Sequence, residues 1–445
     1  KLKYVTFHTN TSKYMRGHLY NGAKPPSGSF LGLTDNTMAT MRRSTSHAYE
    51  AVNGHSSGSF ASWIVRHSRG ILATLAFLVT VAVLTSDTVQ DNIRPHAPGL
   101  RGGRYPPMAG AVYPGAFRAE DAIIDANTFR FAAVTDLDQF TKIKNAPSDK
   151  PAFYSVLLPG ILSRNPADGT YSLRFETSRK LVSKHNEAGR GMELSELTLF
   201  QNRLLSFDDR TGTVFELVNS LKDGSETFVV PRLVITEGDG DTDKGMKWEW
   251  ATVKDGDLYM GSMGKEFTNP DGSVANTNNL WVSKYSHKGE LSRENWTEKY
   301  NFVRNQLGAA HPGYIINEAV LWSDHLNSWV FLPRRVSSDA YDENKDERMG
   351  SNKIAIVNES FTSAKIIEIK FSVLDPLHGF STFAFVPNTH DRHALAIRSV
   401  EEDCVGGDEN LCKQRSYFVV FDVLTGEVLM DEQQYGENIK FEGVE

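Results

Sequence analysis

A short stretch near the middle of the chain gathers residue types that bind cations and phosphates. It contains Arg190, Glu193, Ser195 and Glu196. An apolar run at 197–205, interpreted as one strand, follows it and leads to Asp208-Asp209-Arg210. Charges this dense at the edge of an apolar strand are costly to bury unless they are paired or ligated. Two interpretations are open here: a solvated loop and turn, or a cation and phosphate site.

A second pattern extends over the whole C-terminal part of the chain. Oxygen-bearing residues with apolar neighbours recur at Glu196, Glu249, Glu318, Ser381 and Glu442, with gaps of 53, 69, 63 and 61 residues. If each position begins the innermost strand of one propeller blade, all five face a central tunnel. Carboxylates there repel one another unless a cation lies among them. Oxygen ligands without Cys or His favour a hard ion, and Ca²⁺ over Mg²⁺. The alternative is a chance selection from 55 acidic residues.

The elements that must position these residues are strands. From about residue 118, short apolar runs alternate with Asp-Gly, Gly-Thr, Lys-Gly and Asn-Pro turns, and helical periodicity is confined to 292–306. The runs are 129–134, 153–158, 171–175, 197–205, 214–218, 228–234, 258–260, 329–332, 353–357, 366–371, 381–386, 394–399 and 417–423. An all-β domain of this length favours a propeller, because each four-stranded blade adds its own length. The sequence therefore predicts an all-β, five-bladed β-propeller.

Composition bounds the remaining possibilities. A chain of 445 residues with 40% hydrophobic and 23% charged residues is typical of a globular protein. Its net charge of −7 argues against non-specific nucleic-acid binding. There is no Walker A loop and no Gly-x-Ser-x-Gly elbow. The two cysteines, Cys404 and Cys412, either close a short loop in an oxidising compartment or remain free thiols.

The N-terminal part is predicted to target the chain to the secretory pathway. An uncharged run at 71–84 follows Arg66 and Arg69, and this order sends the following residues across a membrane. A cleaved signal and a type II anchor are both open, with a buried core helix as the structural alternative. The predicted segments are a disordered region (1–69), the apolar segment (70–86), a Pro/Gly-rich linker (87–117) and the propeller domain (118–445). The glycosylation sequons at Asn295 and Asn358 agree with a lumenal fate.

Several motifs occur in an order that resembles a known family. They are Arg190-Gly-Met-Glu-Leu-Ser-Glu, Asp208-Asp-Arg-Thr-Gly, Gly238-Asp-Gly, Lys247-Trp-Glu-Trp, Gly264-Lys-Glu-Phe, Pro312-Gly-Tyr, Trp322-Ser-Asp, Phe331-Leu-Pro-Arg-Arg, Asp346-Glu-Arg, His378-Gly-Phe-Ser and Phe441-Glu-Gly-Val-Glu. Each is weak alone, but their order and spacing together resemble the calcium-activated nucleotidase (apyrase) family over about 118–445. The family includes a vertebrate secretory-pathway enzyme and salivary apyrases of blood-feeding arthropods.

The resemblance implies a five-bladed propeller with one Ca²⁺ in its central cavity. The implied calcium ligands are Ser195, Glu196, Glu249, Glu318, Ser381 and Glu442. The family usually has Asp where Glu196 stands, so the geometry or affinity at this ligand is expected to differ.

The resemblance also implies a substrate, a nucleoside di- or triphosphate. The residues expected to position or deprotonate the attacking water are Asp136, Asp138, Glu193 and Asp209. The residues expected to contact substrate are Arg190, Lys265, Glu266 and Arg334. The alternative function is a non-catalytic calcium-binding propeller that binds a protein or glycan partner. A single membrane anchor and a homodimer are left open.

Overall fold

The computed structural model describes residues 117–220, 226–269, 273–404 and 412–445. The predicted disordered region, the apolar segment at 70–86 and all but the last residue of the linker lie outside these ranges. Within them, no helix has the length and apolar character needed to cross a membrane.

The described residues form five antiparallel sheets and one short strand pair, with strands numbered in chain order. Blade 1 contains β1 (Ile123–Asp125), β2 (Thr128–Thr135), β3 (Phe153–Arg164), β4 (Tyr171–Phe175), β5 (Arg179–Ser183) and β24 (Phe441–Val444). Blade 2 contains β6 (Leu194–Phe200), β7 (Arg203–Asp208), β8 (Thr213–Val218) and β9 (Phe228–Val234). Blade 3 contains β10 (Trp250–Lys254), β11 (Asp257–Gly261), β14 (Trp281–Tyr285) and β15 (Leu291–Asn295).

The last two blades follow the same order of strands. Blade 4 contains β16 (Tyr314–Ser323), β17 (Ser328–Ser337), β18 (Lys353–Asn358) and β19 (Ala364–Glu368). Blade 5 contains β20 (Gly379–Phe385), β21 (His393–Glu402), β22 (Lys413–Asp422) and β23 (Val428–Gln434). The short pair is β12 (Phe267–Thr268) with β13 (Val274–Asn276). The helices are α1 (Thr297–Gln306), α2 (Glu343–Asp346) and the 3-10 turns Ala119–Ala122, Asp138–Thr141 and Asn278–Leu280.

The ring closes through the C-terminal strand. β24 pairs antiparallel with β2, so the end of the chain supplies the innermost strand of the first blade. The innermost strands β24, β6, β10, β16 and β20 each contact the next around the ring. β24 and β6 approach so closely that a Cβ at Gly443 would lie 2.6 Å from the backbone of Glu196. The predicted five-bladed β-propeller is confirmed.

Five apolar clusters lie between neighbouring blades. One cluster joins blades 3 and 4 through Trp250, Trp296 and Trp329, and the Trp296 and Trp329 rings meet edge to face at 5.0 Å. The other four clusters join blades 1 and 5, 4 and 5, 2 and 3, and 1 and 2. Because each sheet buries both faces against its neighbours, the polar residues at the inner strand ends are left for the central cavity.

Two predicted elements are wrong in detail. The run 197–205 is two strands, β6 and β7, because Gln201 and Asn202 adopt φ of 50° and 60° and form the tight hairpin turn. The predicted helix at 292–306 begins only at Thr297, and the residues before it belong to β15, paired with β14. The side chain of Asn295 accepts a hydrogen bond from the Thr297 amide at 2.9 Å, where the strand turns into the helix.

Candidate functional site

A strongly charged cavity of about 530 Å³ opens at one end of the central tunnel. Glu343, Asp346, Glu347 and Asp403 are part of its lining. The other charged groups that line it are Asp136, Asp138, Lys247, Glu249, Glu318, Arg334, Arg335, Glu401, Lys440 and Glu442. They come from inner strands, from the loops that lead into them and from second strands of the blades. Because so many of these groups are buried close together, their charges must be closely paired.

Irregular strand pairing turns several oxygen-bearing side chains toward the central tunnel. The antiparallel ladder skips one residue in four of the five inner strands, at Ser195, Glu318, Ser381 and Glu442. A bulge of this kind leaves its extra residue outside the ladder and redirects the side chain. In blade 3 the corresponding glutamate, Glu249, directly precedes β10. Equivalent positions of successive blades therefore present an oxygen-bearing side chain at the tunnel.

The strand pairing corrects one of the five residues that recur at blade-length spacing in the sequence. The bulge in blade 2 is at Ser195, so Ser195 rather than Glu196 corresponds to the skipped residues of the other blades. Ser195 is buried, and its Oγ has no hydrogen-bond partner among the described residues. The Glu196 carboxylate accepts from Thr382 Oγ1 at 3.0 Å and from the Leu197 amide at 2.8 Å. The hydroxyl of Ser381 donates to the Phe441 carbonyl at 2.9 Å.

Lys440 is the most heavily paired cation of the cavity. Its Nζ lies 2.9–3.1 Å from one carboxylate oxygen each of Asp136, Asp138, Glu401 and Glu442. Only 4% of its side chain is exposed. Lys440 therefore acts as an internal counterion for a buried group of acids.

Arg334 plays a similar part and shares one oxygen of Glu442 with Lys440. Its guanidinium donates to Glu318 at 2.7 and 2.9 Å, to Glu442 at 3.1 Å and to Glu401 at 2.7 Å. The β16–β17 ladder skips both Glu318 and Arg334. The two side chains therefore leave the sheet next to each other and face the cavity. The carboxylate of Glu401 thus bridges Arg334 and Lys440.

Two further ion pairs lie next to this group. Arg190 forms a bidentate pair with Glu193, at 2.9 and 2.5 Å, and approaches Asp138 to 3.8 Å. Lys247 bridges Asp209 at 2.5 Å and Glu249 at 2.7 Å. The structure therefore brings together predicted catalytic, substrate-binding and metal residues around one cavity.

The residues present fit a hard divalent cation. Ion pairs join eight carboxylates to four cationic side chains: Asp136, Asp138, Glu193, Asp209, Glu249, Glu318, Glu401 and Glu442 with Arg190, Lys247, Arg334 and Lys440. Oxygens of Asp136, Asp138 and Glu193 lie within 4.8 Å of one another. An excess of carboxyl groups over cationic groups among these ion pairs, oxygen donors throughout and the unpaired Ser195 hydroxyl suit a calcium-like ion.

The crowding of acids changes their acidity. Burial first, and then the charges of Asp136 and Asp209, raise the pKa of Glu193 to about 8. Burial raises the pKa of Glu249 to about 8 despite the opposing charge of Lys247. Burial also works against ionisation of Asp136, but Lys440, the Asp138 amide and Lys247 together outweigh it and hold the pKa of Asp136 below its usual value. At neutral pH, some of the cavity acids are therefore protonated and others are ionised.

A pH dependence of metal binding follows. Because Glu193 and Glu249 bind protons below about pH 8, a cation that takes their oxygens must displace those protons. We expect calcium affinity to strengthen as pH rises toward 8, by roughly tenfold per unit for each proton displaced, and to level off above it. Calorimetry in two buffers of different ionisation enthalpy measures the protons released. Calcium binding with no proton release and no change between pH 6 and 9 would contradict this expectation.

Two predicted substrate contacts, Lys265 and Glu266, lie outside the central cavity. They line an adjoining cavity of about 510 Å³. Glu266 pairs with Arg304 at 3.0 Å, and Lys265 Nζ lies 4.0 Å from the centre of the Tyr341 ring. The two cavities share the residues Met263, Ile316, Tyr341, Glu343 and Asn344, so they adjoin along one wall.

Sequence reasoning missed the two lysines and Glu401. A signal for the lysines exists, because Lys247-Trp248-Glu249 and Lys440-Phe441-Glu442 repeat a Lys-aromatic-Glu pattern at two inner strands. Alternation along an extended segment places each Lys and its Glu on the same side. No local signal marks Glu401, which reaches the cavity from β21, a second strand.

Comparison with known proteins agrees with this architecture. A model of the apyrase family matches residues 140–445. The soluble calcium-activated nucleotidase 1 of Rattus norvegicus is 37% identical over 71% of this chain and 73% of its own length. An apyrase of Cimex lectularius is 37% identical over 71% and 82%, and apyrase apy-1 of Caenorhabditis elegans is 36% identical over 72% and 84%. The chain belongs to the apyrase family.

Proposed function

We propose that this chain hydrolyses nucleoside di- and triphosphates to the monophosphate and phosphate, using calcium held in the central cavity. The observation that carries the proposal is the buried ring of oxygen-bearing side chains at equivalent positions of successive blades, three of them carboxylates, next to cations that suit phosphate. Relatives named apyrase and calcium-activated nucleotidase support the same activity.

The residues that would hold the ion lie at the inner ends of the blades, and all but Glu196 occupy the equivalent position of their blade. They are Ser195, Glu196, Glu249, Glu318, Ser381 and Glu442, and the three cavity-lining glutamates among them are the strongest candidates. Bound calcium would offset the negative charge that phosphate brings into the cavity.

Cationic side chains would bind the phosphates. A guanidinium can donate to two phosphate oxygens at once. Arg334 lines the cavity, and Arg190 lies beside it, 3.8 Å from Asp138. Arg334 now donates to Glu318, Glu442 and Glu401. A phosphate oxygen would replace one of these carboxylates as acceptor, so substrate binding requires the carboxylate to find another partner.

A carboxylate would position and deprotonate the attacking water. Glu193 is the best base among Asp136, Asp138, Glu193 and Asp209, because its pKa of about 8 is close to neutral and Arg190 fixes its orientation. The water oxygen would form a bond to the terminal phosphorus while the bond to the bridging oxygen breaks. Phosphoryl transfer depends mainly on positioning and charge stabilisation, so no covalent nucleophile is needed.

The adjoining cavity would receive the nucleoside. It lies beside the phosphate site and is lined by Lys265, Phe267 and Tyr341. An aromatic wall with polar neighbours suits a base and a ribose. Lys265 can also reach toward a phosphate, since its ammonium lies on the Tyr341 ring at the shared wall.

A substrate panel tests the proposal. Phosphate release from UDP, GDP, ADP and ATP is measured with calcium, with magnesium and with a chelator, and UMP is the control. We expect release from the di- and triphosphates with calcium only, and none from UMP. Calcium-dependent thermal stabilisation without any phosphate release would instead support a calcium-binding propeller that binds a protein or glycan partner.

We also propose that the protein enters the secretory pathway. Cys404 and Cys412 form a disulfide, which is typical of an oxidising compartment. The sequon residue Asn295 is exposed at the end of β15 and so accessible to glycosylation. Sequencing the N-terminus of protein purified from secreting cells distinguishes a cleaved signal from a retained anchor.

A further inference from the structure

The loop end of the β21–β22 hairpin contributes directly to the cavity. Its last two pairs of facing residues are Glu401 with Gln414 and Glu402 with Lys413. Facing residues of an antiparallel pair lie on the same side of the sheet, and successive pairs alternate sides. The first pair therefore faces one side and the second pair faces the other.

Glu401 and Gln414 both hold groups of the candidate site. Glu401 accepts from Lys440 at 2.9 Å and from Arg334 at 2.7 Å. The amide of Gln414 donates to Asp138 Oδ2 at 2.8 Å, and Gln414 is buried. One pair of facing residues thus fixes two cations and one candidate catalytic carboxylate.

The Cys404–Cys412 disulfide lies immediately beyond this end of the hairpin. Cys404 follows Glu402 by two residues, and Cys412 directly precedes Lys413, at the start of β22. Both cysteines also line the cavity. Without the bond, the two strands would be joined at this point only through the chain from residue 403 to residue 412.

We propose that this disulfide keeps Glu401 and Gln414 in position, so that the nucleotidase activity depends on the redox state of Cys404 and Cys412. The inference rests on the proposed function. Strand ends open locally more readily than the rest of a sheet, and a covalent link across the loop end of the hairpin opposes that opening. When the bond is reduced, Glu401 and Gln414 lose their fixed positions, and Arg334, Lys440 and Asp138 lose shared partners.

The expected effect is on turnover. Loss of groups that orient the residues of a site typically costs 10- to 100-fold in activity. We expect Cys404→Ser with Cys412→Ser to lower kcat about tenfold and to change KM for the nucleotide less than twofold. We expect kcat to change more than KM because the hairpin holds groups around the reacting phosphate and not around the nucleoside. Reduction of the unmodified full chain, followed by thiol alkylation, should give the same loss.

A double-mutant cycle tests the inference on the full chain. The double serine variant is combined with Glu401→Gln Gln414→Ala, and phosphate release is measured at saturating calcium. If the disulfide acts through these two residues, its removal lowers kcat about tenfold in the parent but less than twofold in the Glu401→Gln Gln414→Ala background. Glu402→Gln is the matched control, because Glu402 faces the other side and pairs with Arg415, and it should keep the tenfold response.

The outcomes are separable. Equal losses in both backgrounds, or no loss on removing the disulfide, would overturn the inference alone. An oxidised parent protein that releases no phosphate would overturn the proposed function and this inference with it. Because the serine variant could fold poorly, reduction and reoxidation of the parent provide a second measurement, and recovery of activity on reoxidation is expected.

Discussion

Glu249→Ala is expected to abolish calcium-stimulated phosphate release from UDP or ADP, with a loss on the order of 10²-fold or more. Glu249 directly precedes the inner strand of blade 3, is 3% exposed and points to the cavity. Its loss removes a candidate calcium ligand and leaves Lys247 with Asp209 as its remaining carboxylate in the site. Calcium titrations of phosphate release give both the activity and the calcium requirement.

Two further variants make the result specific. Glu249→Gln keeps the size of the side chain and removes its charge, so it should lose nearly as much activity as the alanine. Glu237→Gln alters another buried glutamate, one that pairs with Asn278 and Lys244 outside the cavity, and should remain active. Full calcium-stimulated activity in Glu249→Ala would refute the assignment of this residue.

Lys440→Met is expected to have the largest effect on stability. Lys440 lies within 3.1 Å of four carboxylates, and these acids would remain buried without their cation. Removing one partner of a buried ion pair typically costs about 3–5 kcal/mol in the free energy of unfolding. Calcium should then raise the melting temperature more in the variant than in the parent, because a bound ion compensates for the missing charge.

The matched control is Lys284→Met. Lys284 pairs with Asp257 at 2.8 Å, but its side chain is 36% exposed, and such surface pairs contribute about 1 kcal/mol or less. Denaturant unfolding with a chelator and with calcium measures all three proteins. Equal stabilities of Lys440→Met and the parent in the metal-free state would show that Lys440 is not needed as a counterion.

The blade number could be predicted from sequence because one oxygen-bearing residue recurs at about the length of a blade. Which residue of blade 2 occupies the equivalent position could not be predicted from sequence. The skipped residue in β6 is Ser195 and not Glu196, because a bulge depends on how β6 pairs with β7, and pairing is not encoded in a single strand's pattern. The same limit explains why 197–205 looked like one strand: both halves are apolar, and only Gln201-Asn202 separates them.

The charge balance of the site also required the structure. Lys440 and Glu401 are 39 residues apart in sequence and meet because β21 and the segment before β24 end at the same cavity. Charged residues at strand ends are usually solvated, so their type alone predicts nothing about burial. The acids of the inner strands could be found because they repeat, whereas their partners come from unrelated positions.

The most direct test of the central claim is the location of calcium itself. Anomalous diffraction from crystals grown with calcium and a non-hydrolysable nucleoside diphosphate analogue identifies the ion by its signal. The proposal predicts a peak in the central cavity, coordinated by oxygens of Glu249, Glu318 and Glu442, with the analogue's phosphates beside it. Calcium bound only elsewhere, or a cavity without the ion and with the phosphates outside it, would contradict the account.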